Sequence, residues 1–290
     1  MEVLEAASPE TIEALITLLR TCTARSRIIA GGTDFIQQMR TTGGECELLI
    51  NLDKLDALKR VTETEGRITI GAAATFAEIH RHHLLQNTAR CLTASAAQIG
   101  SPQMRNRATI GGNIANASAC ADSIAPLLVL DASVTVMDSS GKTAEKELLD
   151  IVTGPNRTAL RYDEVITAVT IPVPKPGFRS GFKKIGAKLA VTVSKINIAV
   201  GFIMEDSTTG PALSHARVAL GSVGKTPRRF PDAERVLDKA EYTPELEERF
   251  AEHLAREVEE AIHDRASMPY KRSAVKGLAR DVLRDCFRPG

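Results

Sequence analysis

The sequence predicts an α+β fold with two domains, and three observations support this prediction. The chain has 290 residues, of which 43% are hydrophobic and 25% charged, so it is long enough for two globular domains of roughly 100–200 residues. Strand and helix patterns follow one another without the regular alternation of a doubly wound sheet. Three prolines and a glycine lie between Pro172 and Gly177 and mark a domain boundary.

The first half of the chain predicts short apolar strands interspersed with helices. Pro9 suits the first turn of a helix whose apolar residues begin at Ile12, and the apolar strand after it enters the segment Gly31-Gly32-Thr33-Asp34. A second strand is predicted to enter Gly111-Gly112-Asn113. Further strands are predicted at 47–52, 58–64, 67–71, 133–138 and 164–171, and helices at 76–83, 88–99 and 124–130.

After the boundary, the pattern predicts a different kind of domain. Residues 181–186, 191–202 and 212–220 have the composition of neighbouring antiparallel strands, and charged amphipathic helices follow from Pro231. We therefore predict a first domain at residues 1–174, with lobes at about 1–52 and 53–174. A second domain is predicted at 175–290.

Charge and composition exclude several classes of function. The formal net charge is +1, which lacks the basic excess of a nucleic-acid-binding protein. No apolar run is long enough to span a membrane and no basic leader opens the chain, so a cytoplasmic location is predicted. Five scattered cysteines and a His80–His83 cluster lack metal-site spacing, so we predict no metal ligands and free, packed thiols.

Two glycine-rich loops are the candidate binding elements. In the first, Gly31 and Gly32 allow successive backbone N–H groups to converge on a phosphate, and Thr33 adds a hydroxyl donor. In the second, Gly111 and Gly112 lie between Thr109 and Asn113 in a similar arrangement. Neither loop is a dinucleotide fingerprint or a P-loop, and each glycine pair could serve only a tight turn. Their joint presence favours a long diphosphate ligand.

The motifs around these loops resemble a known family. Several segments occur in the order typical of that family: 29–34, 70–75, 100–106 and 108–114, then Asp122, then Phe182-Lys183-Lys184 with Ala190 and Ser194, and last Tyr270-Lys271-Arg272. They resemble the FAD-binding (medium) subunits of the xanthine dehydrogenase and carbon monoxide dehydrogenase family of molybdenum hydroxylases. The resemblance covers nearly the whole chain. It implies a two-lobed FAD domain of the vanillyl-alcohol-oxidase (PCMH) type and a smaller C-terminal domain of the CO dehydrogenase flavoprotein type.

The resemblance also implies roles for individual residues, all of them in cofactor binding and none in catalysis. It places the FAD pyrophosphate on the first loop, and the flavin phosphate and ribityl chain on Thr109, Gly112 and Asn113. Asp122 would contact the adenosine end, Ile99 and Ile166 a ring, and Lys183 the flavin, where its charge would stabilise the reduced form. The first-loop residues are Arg27, Ile28, Ile29, Ala30, Gly31, Gly32, Thr33 and Asp34.

The predicted function follows from what this chain lacks as well as from what it carries. It has no set of iron–sulfur cysteines, so the resemblance implies a heterotrimer with a large molybdopterin subunit and a small [2Fe-2S] subunit. This chain would then pass electrons from those clusters through FAD to NAD+ or another acceptor. Two alternatives stay open: a stand-alone FAD-dependent oxidoreductase, and a nonenzymatic protein that binds only phosphate.

Overall fold

The computed structural model describes residues 1–41, 43–188, 191–207 and 210–287 and separates into two compact units. Unit 1 comprises Met1–Glu78, Pro102–Ala117 and Ala132–Pro172. Unit 2 comprises Ile79–Ser101, Ser118–Asp131 and Val173–Gly290. Each unit is therefore assembled from several separate stretches of the chain.

The first sheet of unit 1 is parallel and delivers the first glycine loop. Its strands β1 (Glu2–Ala7), β2 (Arg27–Ile29) and β3 (Glu45–Asn51) lie in the order β1-β3-β2. Helix α1 (Ile12–Leu19) covers this sheet, because Leu15 and Leu19 pack with Ile50 in one hydrophobic core. Helix α2 (Phe35–Thr41) follows the glycine loop and has no fully buried residue.

The second sheet of unit 1 is antiparallel. Its strands are β4 (Val61–Thr64), β5 (Arg67–Gly71), β6 (Ser133–Met137), β7 (Thr143–Glu147) and β10 (Val165–Pro172). They lie in the order β4-β5-β10-β6-β7. A small hairpin, β8 (Val152–Gly154) and β9 (Arg157–Thr158), precedes β10. The helices here are α3 (Phe76–Arg81), α6 (Pro102–Arg105), α7 (Ile110–Asn116) and α9 (Leu148–Ile151), and α3 continues into unit 2.

Unit 2 is an antiparallel sheet packed against helices. The sheet order is β11 (Phe178–Gly186), β12 (Ser194–Ser207), β13 (Gly210–Gly221) and β14 (Arg228–Arg229). Its core joins apolar residues of β12 and β13 to those of the last two helices, for example Phe202, Phe250 and Val282. The helices are α4 (His83–Thr88), α5 (Arg90–Gln98), α8 (Ile124–Val129), α10 (Pro231–Leu237), α11 (Pro244–Ala261) and α12 (Met268–Phe287).

These elements confirm the predicted α+β class and the antiparallel sheet after the proline-rich segment. One local prediction is wrong in a way that matters for the site. The second glycine loop was predicted to follow a strand, yet Gly111 and Gly112 lie in the first turn of α7. Thr109 caps this helix, and its hydroxyl accepts a hydrogen bond from Gly112 N at 3.1 Å. The helix predicted at 88–99 is present as α5, which begins at Arg90 because α4 ends at Thr88.

Candidate functional site

The first glycine loop turns sharply between β2 and α2. Gly32 has φ of +71°, a left-handed conformation that side chains with a Cβ rarely adopt. A Cβ at Gly31 would overlap the carbonyl oxygen of Arg107. The backbone just before the second glycine loop therefore packs directly on the first glycine loop. Glycine at both positions is therefore required by backbone conformation and by close backbone approach.

The same loop presents hydrogen-bond donors that the protein leaves available. Within the described residues, no acceptor pairs with the backbone N–H groups of Gly32, Thr33 and Asp34 or with the Thr33 hydroxyl. Arg27, just before the loop, donates from one guanidinium nitrogen to the carbonyls of Ala24 and Ser26, which fixes its position. Adjacent free amides beside a fixed cation fit a diphosphate.

The second glycine loop does not present free backbone amides to the cavity in the way that the first loop does. Its backbone amides are already used, because Gly111 N donates to Ala72 O at 2.9 Å and Asn113 N donates to Thr109 O at 2.9 Å. A phosphate nest like that of the first loop is therefore absent from Gly111 to Asn113. What this segment offers instead is an exposed, Cβ-free surface at Gly112 and the side chain of Asn113.

Both loops line one cavity of about 410 Å³ within unit 1. Its walls contain the whole segment from Arg27 to Asp34 together with Thr109, Gly112 and Asn113. A smaller cavity of about 80 Å³ shares Ala30 and Gly112 with it and is lined mainly by apolar side chains, including Ile28 and Ile166, together with Glu164. Polar donors and an apolar cleft therefore adjoin, which suits a ligand with a charged middle and a flat ring.

Asp122 lies in unit 2, at the centre of a buried polar cluster. Its carboxylate accepts hydrogen bonds from the Ser194 hydroxyl and from Asn197 Nδ2 at 2.9 Å, and it pairs with Lys184 Nζ at 2.7 Å. The side chains of Asp122 and Lys184 are each 8% exposed. Three of the roughly four acceptor positions of the carboxylate are therefore occupied by the protein.

Lys183 points to another partner than its neighbour Lys184. Lys183 Nζ lies 3.1 Å from Asp285 Oδ1, and the lysine side chain is 33% exposed. Lys184 also donates to the carbonyl of Gln98 at 2.8 Å, beside the half-buried Ile99. Sequence reasoning missed Lys184, because two adjacent lysines on a strand point to opposite faces and the sequence does not say which face holds Asp122.

Ala190 and the cysteines were also named from the sequence. Ala190, part of the resemblance, lies outside the described residues. Cys120 is a free thiol that is half-buried, and the other four cysteines, Cys22, Cys46, Cys91 and Cys286, are free and buried. Burial raises the pKa of the Cys91 thiol to about 12, which keeps it protonated and unreactive at neutral pH.

Comparison with known proteins shows the family to which this chain belongs. The family described as the FAD binding domain in molybdopterin dehydrogenase matches residues 2–174, and the CO dehydrogenase flavoprotein C-terminal domain matches residues 185–286. The chain belongs to the FAD-binding subunits of the molybdenum hydroxylases. The resemblance seen in the motifs is thereby confirmed, and with it the oxidoreductase class.

Individual relatives cover this flavin subunit almost from end to end. It is 31% identical to the nicotinate dehydrogenase FAD-subunit of Eubacterium barkeri, over 98% of this chain and 96% of the relative. It is 32% identical to the nicotine 6-hydroxylase medium subunit of Paenarthrobacter nicotinovorans, over 96% and 95%. The fold matches a chain of reconstituted CO dehydrogenase from Oligotropha carboxidovorans with a TM-score of 0.87, at 24% identity and with 99% and 98% coverage.

Within the described residues, no helix is both long and apolar enough to cross a membrane.

Proposed function

We propose that this chain binds one FAD in the cavity of unit 1, with the pyrophosphate on the segment from Arg27 to Asp34. The observation that carries the proposal is the set of free amides at Gly32, Thr33 and Asp34, which line a cavity in a chain of this family. Backbone donors fixed in advance bind an anion without the cost of ordering side chains. Arg27 adds a permanent positive charge beside them.

The neighbouring residues have complementary roles in this proposal. Gly112 lets the ligand approach the surface of α7 closely, while Thr109 and Asn113 face the phosphate and ribityl part of FAD. Ile166, in the adjoining apolar cleft, packs against a ring of the ligand. The roles of Ile99, Asp122 and Lys183 stay predictions from the family resemblance. Lys183 is paired with Asp285, so its charge would act on a flavin only in part.

We propose that the chain works as the electron-transfer subunit of a larger cytoplasmic complex. Bound FAD exchanges electrons singly with iron–sulfur clusters and in pairs with organic acceptors, which is the chemistry that such a position requires. Electrons would pass from molybdopterin on a large subunit, through [2Fe-2S] clusters on a small subunit, to this FAD and on to NAD+ or another acceptor. The names of relatives support this arrangement, since several are FAD-subunits, medium subunits or medium chains of dehydrogenases and a hydroxylase.

The alternative is a stand-alone FAD-dependent oxidoreductase. It needs a substrate pocket with its own acid–base groups. Among the described residues, the walls of the first cavity contain one carboxylate side chain, that of Asp34, and no histidine.

Purification from the native host tests these two functions against each other. The subunit function predicts a yellow complex with two further chains, in which the organic substrate reduces the flavin only while the partners are bound. Reduction of the flavin by substrate in the isolated chain would support the stand-alone enzyme. A chain that takes up no FAD after reconstitution would refute both.

A further inference from the structure

A separate cavity of about 620 Å³ lies in unit 2. Its walls come from three places: the paired strands β12 and β13, the segment between α10 and α11, and the first turns of α11. None of its residues belongs to the glycine loops or lines the cavity of unit 1. Binding of FAD therefore does not account for this cavity.

The floor of the cavity is apolar and is fixed by the fold. Ala212, Leu213, Ala240 and Leu246 line it, and the two leucines belong to the hydrophobic core of unit 2. Leu213 N donates to Ala240 O at 2.9 Å, and Lys239 N donates to Leu213 O at 2.6 Å. The segment before α11 thus lies beside β13 like a further strand, so the floor is formed without a ligand.

Five charged side chains surround this floor: Glu205, Lys239, Glu241, Glu245 and Arg249, all of them exposed. Within the described residues, none of these side chains forms an ion pair or a hydrogen bond. Even Glu245 and Arg249 do not pair, although they are four residues apart on α11, a spacing at which opposite charges often do. The three carboxylates outnumber the two cations, so the cavity carries one excess negative charge.

Two of the carboxylates are held at a fixed separation by the backbone. Glu205 of β12 lies directly opposite Ala212 of β13, and Ala212 forms a bridge with Glu241 on its other side. Directly opposite residues of antiparallel strands project from the same face. Glu205 and Glu241 therefore flank the small side chain of Ala212, with their backbones about 9–10 Å apart. An organic cation lying over Ala212 can contact both carboxylates.

Lys239 lines the cavity from a backbone conformation that lysine rarely adopts. Its φ is +59°, and the two hydrogen bonds that join it and Ala240 to Leu213 form the pattern of a G1 β-bulge. Glycine usually occupies this position, because a Cβ disfavours positive φ. Burial does not explain a lysine here, since the side chain is exposed, whereas a role in binding does.

We propose that this cavity binds a small organic cation that also carries a carboxylate, of the class of arginine and lysine. The cationic end lies over Ala212 between Glu205 and Glu241, and the carboxylate faces Arg249. The methylene chain lies on the apolar floor. A ligand with one net positive charge complements the excess negative charge, and the cavity has the size of a small-molecule site. The site does not depend on binding of FAD.

Calorimetric titration of the full-length chain with matched ligands tests the proposal. Arginine should bind with a Kd of about 1 mM or lower. Agmatine, which lacks the carboxylate, and norvaline, which lacks the side-chain cation, should both bind more weakly. Acetyl-arginine, which has no free α-amine, represents the last residue of a peptide. Binding as tight as that of arginine would identify a peptide terminus as the ligand, and weaker binding would identify the free amino acid.

Two variants separate the two ends of the ligand. Glu241→Gln should weaken both arginine and agmatine about 3- to 10-fold, the effect of losing one charge-assisted hydrogen bond. Arg249→Gln should weaken arginine by a similar factor but should not weaken agmatine. Glu260→Gln and Arg256→Gln, at exposed residues of α11 outside the cavity, are the matched controls and should bind arginine like the natural chain.

Several results would overturn this site. Arginine might give no binding at about 10 mM, tenfold above the expected constant. Its affinity might instead be unchanged in both Glu241→Gln and Arg249→Gln, or fall equally in the two controls. The flavin content of the same samples keeps this test apart from the proposed function. A chain that binds arginine as described but takes up no FAD would support this site and refute the proposed function.

Discussion

At the scale of single residues, the site depends on two glycines that do different things. Gly32 provides a left-handed backbone conformation, whereas Gly31 provides the space for the carbonyl of Arg107. The sequence predicted that this pair matters but could not separate the two roles. The close approach involves a residue 76 positions further along the chain, which no local pattern reveals.

Gly31→Ala should force two backbone segments apart. We expect the free energy of unfolding to fall by about 1–3 kcal/mol, the usual cost of overpacking. FAD affinity should fall at least about tenfold, because the donors of the loop move. Chemical denaturation and FAD titration measure the two effects. Gly43→Ala is the control, since a Cβ there meets nothing within 4 Å, and equal behaviour of the two variants would refute the close-packing argument.

The adjacent lysines of β11 provide a second comparison between residues. Lys184→Met leaves the buried Asp122 carboxylate without its cation, which typically costs about 3–5 kcal/mol of unfolding free energy. Lys183→Met removes a pair with a partly exposed lysine, and such pairs contribute about 0–1 kcal/mol. Urea denaturation of both variants tests the difference. Similar losses would mean that the Asp122 cluster is not the stabilising feature described here.

At the scale of elements, helix α7 is where sequence reasoning failed. The apolar residues before Gly111 suggested a strand, and the glycines suggested its end. The structure instead begins a helix at Ile110, because Thr109 supplies the hydroxyl cap and Ala72 and Ala74 accept the first amides. Those acceptors come from a segment more than 30 residues earlier, so tertiary contacts decide between strand and helix here.

Thr109→Val removes the cap while keeping the shape of the side chain. We expect a loss of about 1 kcal/mol in unfolding free energy, together with weaker FAD binding, since α7 forms a wall of the cavity. Thr243→Val removes the equivalent cap from α11 and should cost a similar amount of stability without changing FAD affinity. If both variants lose FAD affinity equally, α7 has no special relation to the cofactor.

The last helix, α12, is fixed through the buried carboxylate of Glu247. Burial alone raises the pKa of Glu247, but hydrogen bonds from Arg284 and Tyr242 outweigh it, so the net pKa is lowered from 4.5. A carboxyl with a lowered folded-state pKa stabilises the fold above the unfolded-state pKa. That stability is lost as the pH falls through the folded-state pKa.

Unfolding experiments between about pH 3 and pH 7 should therefore show stability declining below about pH 5. In Arg284→Met, burial of Glu247 is no longer opposed by its cation, so this part of the decline should shrink or reverse. Arg272→Met, which breaks a more exposed pair on the same helix, should keep the natural slope. An unchanged acid slope in Arg284→Met would contradict the role given to Glu247.

At the scale of the whole molecule, the sequence predicted the fold class and the family but not how the units are assembled. Local periodicity identifies strands and helices one after another, and the proline-rich segment suggested a single boundary. In the structure, the chain passes between the units at 78/79, 101/102, 117/118, 131/132 and 172/173. Which stretch joins which core depends on long-range packing, as with α8, whose six residues are all buried within unit 2.

A fragment of residues 1–174 tests this interleaving. It contains α5 and α8 but lacks β12 and β13, against which α8 packs. We expect the fragment to expose the apolar residues of α8 and to aggregate, because such large apolar patches are rarely tolerated in monomers. A soluble fragment that unfolds cooperatively would show that the predicted boundary at residue 174 defines an independent domain.

The measurement that tests the central claim most directly is the flavin content of the purified full-length chain. After reconstitution with FAD and removal of unbound ligand, the absorption spectrum and the protein concentration give the bound FAD per chain. We predict one FAD per chain, and a marked loss of bound FAD in Gly31→Ala but not in Gly43→Ala. A chain that retains no FAD, or that retains it equally in Gly31→Ala, would contradict the assignment of the cofactor to the first glycine loop.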